Sequence, residues 1–61
     1  MLKINSLWRN KKTNRVYKVL YMAQHSETLE DMVVYVQKEK SDVSTVWVRP
    51  YELFCQKFIA E

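Results

Sequence analysis

Residues 15–38 read RVYKVLYMAQ, HSETLE and DMVVYVQK: two strand signals around a polar connection. Arg15–Gln24 puts Tyr17, Val19, Tyr21 and Ala23 on one face and Val16, Lys18, Leu20 and Met22 on the other, because successive side chains of a strand alternate. Only the first face is free of charge, so it is predicted to face the core, with Val16, Leu20 and Met22 giving partial cover on the second. Asp31–Lys38 carries Val33, Val34, Tyr35 and Val36, residue types that suit a pleated, half-buried surface.

The rest of the chain is read outward from this pair. Ser6–Arg9 opens an earlier strand, and Asn10–Asn14 is a polar, basic turn in which Asn supplies the propensity that Gly would normally give. Glu39–Ser44 is a second charged turn. Thr45–Arg49 is a short strand with Thr45, Trp47 and Arg49 on one face and Val46 and Val48 on the other. Pro50 cannot donate a ladder hydrogen bond, so pairing is expected to end there, and proline is well placed at the first turn of a helix. Tyr51–Ala60 has helical spacing, with Tyr51, Phe54 and Phe58 on one face. The order predicts a mainly β chain: a small twisted antiparallel sheet, curled into an SH3-like half-barrel, with a short C-terminal helix.

Composition narrows the function. With 61 residues, one small domain spanning 1–61 is expected, burying only about 60% of the surface exposed by its unfolded chain. The single Cys55 and single His25 permit neither an internal disulfide nor a Cys/His zinc cage. No metal and no cofactor are expected. A domain without such staples relies on packing or self-association, and a homodimer is expected if its aromatic-rich surface leaves a patch uncovered. Glycine is absent, so positive-φ turns must use Asn, Asp or Ser, and a Gly-rich phosphate loop is excluded. No apolar run of membrane-spanning length exists, and the start has no signal-peptide pattern. With a lone cysteine, this reads as a cytoplasmic protein with no membrane partner.

Charge is uneven. Lys3, Arg9, Lys11, Lys12, Arg15 and Lys18 give residues 1–24 a charge of +6, whereas residues 25–61 sum to −3. Such asymmetry marks an anion-binding face or two halves that neutralise each other across paired strands.

Two patches carry the candidate chemistry. His25, Ser26, Glu27 and Thr28 offer an imidazole, two hydroxyls and a carboxylate on a loop, where binding groups concentrate. The alternative is a capped turn held by Ser26 or Thr28. Trp47 and Arg49 share a strand face, and a guanidinium beside an indole suits a planar or phosphorylated ligand. The alternative makes Trp47 core and Arg49 a strut bonded to Glu27, Glu52 or backbone carbonyls. A third candidate is the basic hairpin of Arg9, Lys11, Lys12, Arg15 and Lys18, which could track a nucleic-acid backbone or simply guard a sheet edge. Cys55 reads as a buried or half-buried inert thiol.

Tyr17-x-Val19, Ala23-x-His25-Ser26-Glu27-Thr28, Val33-Val34-Tyr35, Trp47-Val48-Arg49-Pro50 and Phe54 together resemble a small bacterial and phage family of unknown function, whose members typically run Y-x-V, A-x-H-S-E-T, V-V-Y, W-V-R-P and M-F. The resemblance covers residues 7–58 and implies a complete single domain, with no chemistry to transfer. The chain departs from the family in having Asn10–Asn14 where members often carry a His-x-Lys-Gly turn, and Leu53 where the usual residue is Met.

The leading expectation is therefore a non-enzymatic binding module for an anionic, nucleotide-like or phosphorylated ligand. Its contacts are expected from His25, Ser26, Glu27, Thr28, Tyr35, Trp47 and Arg49. The alternative is a phage or bacterial accessory protein that docks on a protein or nucleic-acid partner through its basic hairpin or sheet edge. No catalytic residue is assigned; a weak hydrolase using His25 and Glu27 is the remaining enzyme reading.

Overall fold

The computed structural model describes residues 2–39 and 45–61. Its elements are β1 (Leu7–Asn10), β2 (Val16–Gln24), β3 (Asp31–Gln37), β4 (Trp47–Pro50), α1 (Tyr51–Lys57) and β5 (Phe58–Ala60). The five strands form one antiparallel sheet in the order β4-β3-β2-β1-β5. The expected mainly β fold with a short C-terminal helix is present. The charged turn expected over Glu39–Ser44 falls largely on residues 40–44, outside the described residues.

The face predicted for β2 is correct only for its first half. Val19 pairs with Tyr35, but the next matched pair is Tyr21 with Val34, leaving Leu20 as the extra residue of a bulge. One inserted residue exchanges the two faces of a strand from that point on. Val19 is fully buried and Met22 packs against the core, whereas Tyr21 is 63% exposed. Strict alternation places Tyr21 inside; the bulge turns it out and brings Met22 in.

The core is small and largely aromatic. Val19, Val33, Tyr35, Phe54 and Phe58 are buried together, with Leu2, Trp8, Tyr17, Met22 and Tyr51 packed around them. Phe54 and Phe58 stack at 4.2 Å with planes 6° apart, and Trp8 meets Phe54 edge-on at 5.6 Å. Tyr35 sets its ring edge-on against Phe54, Phe58 and Tyr17 at 5.1, 5.5 and 5.5 Å. Such pairs add about 0.5–1.5 kcal/mol each beyond their buried area.

The C-terminal segment departs from the expected continuous helix. Phe58 leaves the helix at φ −125° and ψ 153°, while its N–H still bonds the Phe54 carbonyl. Residues 58–60 then form β5, pairing Asn10 with Phe58, Arg9 with Ile59 and Trp8 with Ala60. This pairing covers the free edge of β1 and keeps Phe58 stacked on Phe54, so the tail satisfies β1's ladder groups as well as the core. Pro50 also differs from expectation: it is the last paired residue of β4, opposite Met32.

Helix α1 connects strands at opposite ends of the sheet order. Its seven residues rise about 10 Å, yet four gaps of a flat sheet would span about 19 Å. The sheet must curl, and it does: the Arg49 guanidinium carbon on β4 lies 5.5 Å from the Phe58 ring centroid on β5. Among the described residues, no helix is long and apolar enough to cross a membrane.

Candidate functional site

The two predicted patches lie toward the same end of the sheet by register, with Pro50 opposite Met32 and Arg49 opposite Val33, yet they do not share a cavity. His25–Glu30 is the turn joining β2 to β3, and its bonding is internal. The His25 N–H bonds the Glu30 carbonyl and the Leu29 N–H bonds the His25 carbonyl, both at 2.8 Å. His25 Nδ1 accepts from the backbone N–H groups of Glu27 at 3.1 Å and Thr28 at 3.4 Å. Thr28 Oγ1 accepts from the Glu30 N–H at 3.2 Å. Accepting at Nδ1 places the ring proton of neutral His25 on Nε2. The capped-turn reading is correct in kind, with the imidazole as the principal cap.

The β1–β2 turn repeats this wiring. The Asn10 N–H bonds the Arg15 carbonyl and the Asn14 N–H bonds the Asn10 carbonyl. Asn10 Oδ1 accepts from the N–H groups of Lys12 at 2.8 Å and Thr13 at 3.2 Å, and Thr13 Oγ1 accepts from Arg15. The fifth residue is left-handed in both turns, Asn14 at φ 63° and Leu29 at φ 62°. Asn14 matches the expectation that Asn replaces Gly. Leu29 overturns its exclusiveness, because a bulky apolar residue holds the strained position.

Arg49 organises a separate site, because its side chain reaches across to Phe58 on β5 and to the lysines beyond it. It pairs with Val33, and Trp47 pairs with Tyr35, so all four residues share the core-side face of β3 and β4. Tyr35, Trp47 and Arg49 line a cleft of about 190 Å³ together with Asn10, Tyr17 and Phe58. Arg49 and Asn10 also line a larger, basic cavity of about 440 Å³ with Lys11, Lys12, Gln56 and Lys57. The Lys11 N–H bonds the Lys57 carbonyl at 2.9 Å, which ties the turn to the end of α1. Burial pushes the Tyr35 phenol above its ordinary value of 10.0, while the neighbouring Arg49 pulls the other way.

The strut expected for Arg49 takes a different form. Among the described residues the ion pair is Arg9–Glu61, at 2.8 Å, and Arg49 instead lies over the Phe58 ring. Trp47 is half exposed rather than core. The guanidinium thus keeps an aromatic platform on one side and the lysine cavity on the other.

Tyr35, Trp47 and Arg49 are therefore brought together. His25, Ser26, Glu27 and Thr28 line neither cavity. The basic hairpin is divided: Lys11 and Lys12 reach the site, Arg9 is held by Glu61, Arg15 stands exposed at the foot of the turn, and Lys18 lies opposite Val36 on the other face of β2. Cys55 is exposed, correcting the expectation of a buried or half-buried thiol. Lys57, Gln56, Phe58 and Asn10 were not singled out as binding residues. Only the pairing of β5 with β1 brings them to Arg49, and the helical reading of the tail concealed that strand.

The family described as "Protein of unknown function (DUF1653)" matches residues 7–61, from the start of β1 onward. The chain belongs to this family. The DUF1653 match spans both hairpin turns, β4 and the C-terminal strand, and so contains every residue lining the two cavities around Arg49. No curated protein and no solved structure matches the chain.

Proposed function

We propose that this domain is a non-enzymatic binding module for an anionic, nucleotide-like ligand. One observation carries the reading: Arg49 lines both the aromatic cleft and the lysine cavity. A planar ring would enter the cleft against Trp47, Tyr17 and Tyr35. Its phosphate would meet Arg49, Lys11, Lys12 and Lys57. Arg49 would grip phosphate oxygens bidentately, and the lysines would act as point charges. We read the frame as an SH3-like half-barrel, supported by the helical crossover from β4 to β5 and the curl it imposes. The exposed free thiol of Cys55 supports a reducing, cytoplasmic setting.

The test is titration with a panel of nucleoside monophosphates, followed by amide shifts and thermal melting. Ligand at one hundred times its Kd should stabilise the domain by about 2.7 kcal/mol. Arg49→Ala should abolish the shift. A panel that moves neither melting nor the amides of Arg49 and Lys11 sinks the reading.

The basic cavity also favours a second reading, in which the partner is single-stranded nucleic acid. Lys11, Lys12 and Lys57 would then contact successive phosphates. Steep salt dependence and affinity rising with oligonucleotide length would separate this from mononucleotide binding.

A further inference from the structure

Among the described residues, no strand pairs with the outer edge of β4. β4 is hydrogen-bonded to β3 on one side and is the last strand in the order. Trp47 and Val48 on it are 50 and 60% exposed, and Val46 just before it is 46% exposed. Edge strands are ordinarily guarded by charge, proline or a bulge. Residues 46–48 have no charge, and Pro50 protects only the end that enters α1. On the outer face Tyr21, Val34 and Val48 form a row across three strands, which continues the apolar surface inward from the edge.

Charge indicates which occupant fits. Glu30, Asp31 and Glu52 gather around the end of β4 at Pro50. Lys11, Lys12 and Lys57 gather at the opposite end of the sheet. The molecule is acidic at one end and basic at the other, along an axis that β4 follows. We propose that a second copy of this chain docks on this edge, β4 running antiparallel to β4 about a two-fold axis. That arrangement lays the basic end of each copy beside the acidic end of the other and extends the ladder across the interface. It covers Val46, Val48 and the outer side of Trp47, and the same patch serves on both copies, as a closed dimer requires. The proposal is independent of any ligand at Arg49.

Sedimentation of the full chain over the micromolar to millimolar range tests it. The expected result is a monomer–dimer equilibrium that weakens as salt is raised. Val48→Lys and Val46→Pro should each give a monomer with an otherwise native amide spectrum; both positions are exposed, so folding should be retained. Glu30→Lys with Glu52→Lys should weaken the dimer, and mixing that variant with Lys11→Glu/Lys12→Glu should restore association as a heterodimer. A chain that stays monomeric throughout overturns the proposal. So does a dimer unaffected by Val48→Lys and Val46→Pro, or one that salt strengthens.

Discussion

The turns Asn10–Arg15 and His25–Glu30 share one backbone design and differ in almost everything else. Each closes with the same pair of main-chain bonds, a side-chain acceptor at the first position, a threonine hydroxyl at the fourth and a left-handed fifth residue. The first carries Lys11, Lys12 and Arg15, and the second carries Glu27 and Glu30. They cap opposite ends of β2, whose nine residues span roughly 27 Å. The same scaffold therefore sets a positive tip that lines a cavity with Arg49 and a negative tip that lines neither cavity at Arg49. A conspicuous motif can spend its imidazole and a hydroxyl on making a turn, while a plainer one of the same shape contributes to a site because of what lies next to it.

The largest effect should come from emptying the centre of the aromatic core. Phe54→Ala leaves a cavity beneath Phe58, Tyr35 and Trp8 and should cost about 3–5 kcal/mol. That is comparable with the whole stability of a small domain, so chemical denaturation should find the variant largely unfolded. A cooperative transition near that of the native chain would contradict the assigned core.

The functional contrast comes next. Lys11→Glu with Lys12→Glu should weaken nucleotide binding at least about tenfold, since each charge-assisted bond contributes about 1.5–3 kcal/mol. Glu27→Lys with Glu30→Lys should change it less than about twofold, because these exposed carboxylates line neither cavity at Arg49 and are screened by salt. Calorimetric titration measures both, and equal losses would remove the distinction between the turns.

The caps test whether the two turns are built alike. Asn10→Ala and His25→Ala should each destabilise by about 1 kcal/mol, and His25→Asn should recover most of that loss by copying the first turn. The readout is the midpoint of urea unfolding. A His25→Asn variant as unstable as His25→Ala would show that the imidazole does more than cap.

Smaller still is the difference at the left-handed position. Leu29→Gly should stabilise by about 0.5–1 kcal/mol by removing the Cβ conflict, whereas Asn14→Gly should be near neutral, because Asn already tolerates this conformation. The smallest effect is confined to alkaline pH. Tyr35 is held above 10.0 in the folded chain, so the native state retains a proton that the unfolded chain releases. Its contribution is complete below 10.0 and lost as pH rises through the folded value. Tyr35→Phe should flatten that part of the decline in a pH series of melts.

Much of the fold was legible because residue chemistry states it locally. Alternation in 15–24 and the β-branched run at 33–36 marked β2 and β3, and the polar residues between them marked the turn. Tyr35, Trp47 and Arg49 were legible as partners because two of them share a face of one short strand. Leu20 as a bulge was not, since nothing in Val19-Leu20-Tyr21 differs from an unbroken alternation. The bulge shows only in the pairing with β3, where Val19 meets Tyr35 and Tyr21 meets Val34. Nor was β5 legible, because Phe58 satisfies the helical spacing from Tyr51 and Phe54 equally well.

The sequence by itself determined the class of structure, the positions of the turns and the types of side chain available: no cage for a metal, no glycine loop, a basic first third and an Arg-bearing strand end. These follow from composition and short-range periodicity, which act through neighbouring residues. Only the tertiary structure decided which of those groups meet. By curling the sheet and pairing Phe58–Ala60 with β1, it brought Lys11, Lys12 and Lys57 to Arg49 and left His25–Thr28 outside both cavities. The physical reason is that these meetings depend on the free edge of β1 and the span of a seven-residue helix, which are properties of the assembled sheet and of no local stretch of chain.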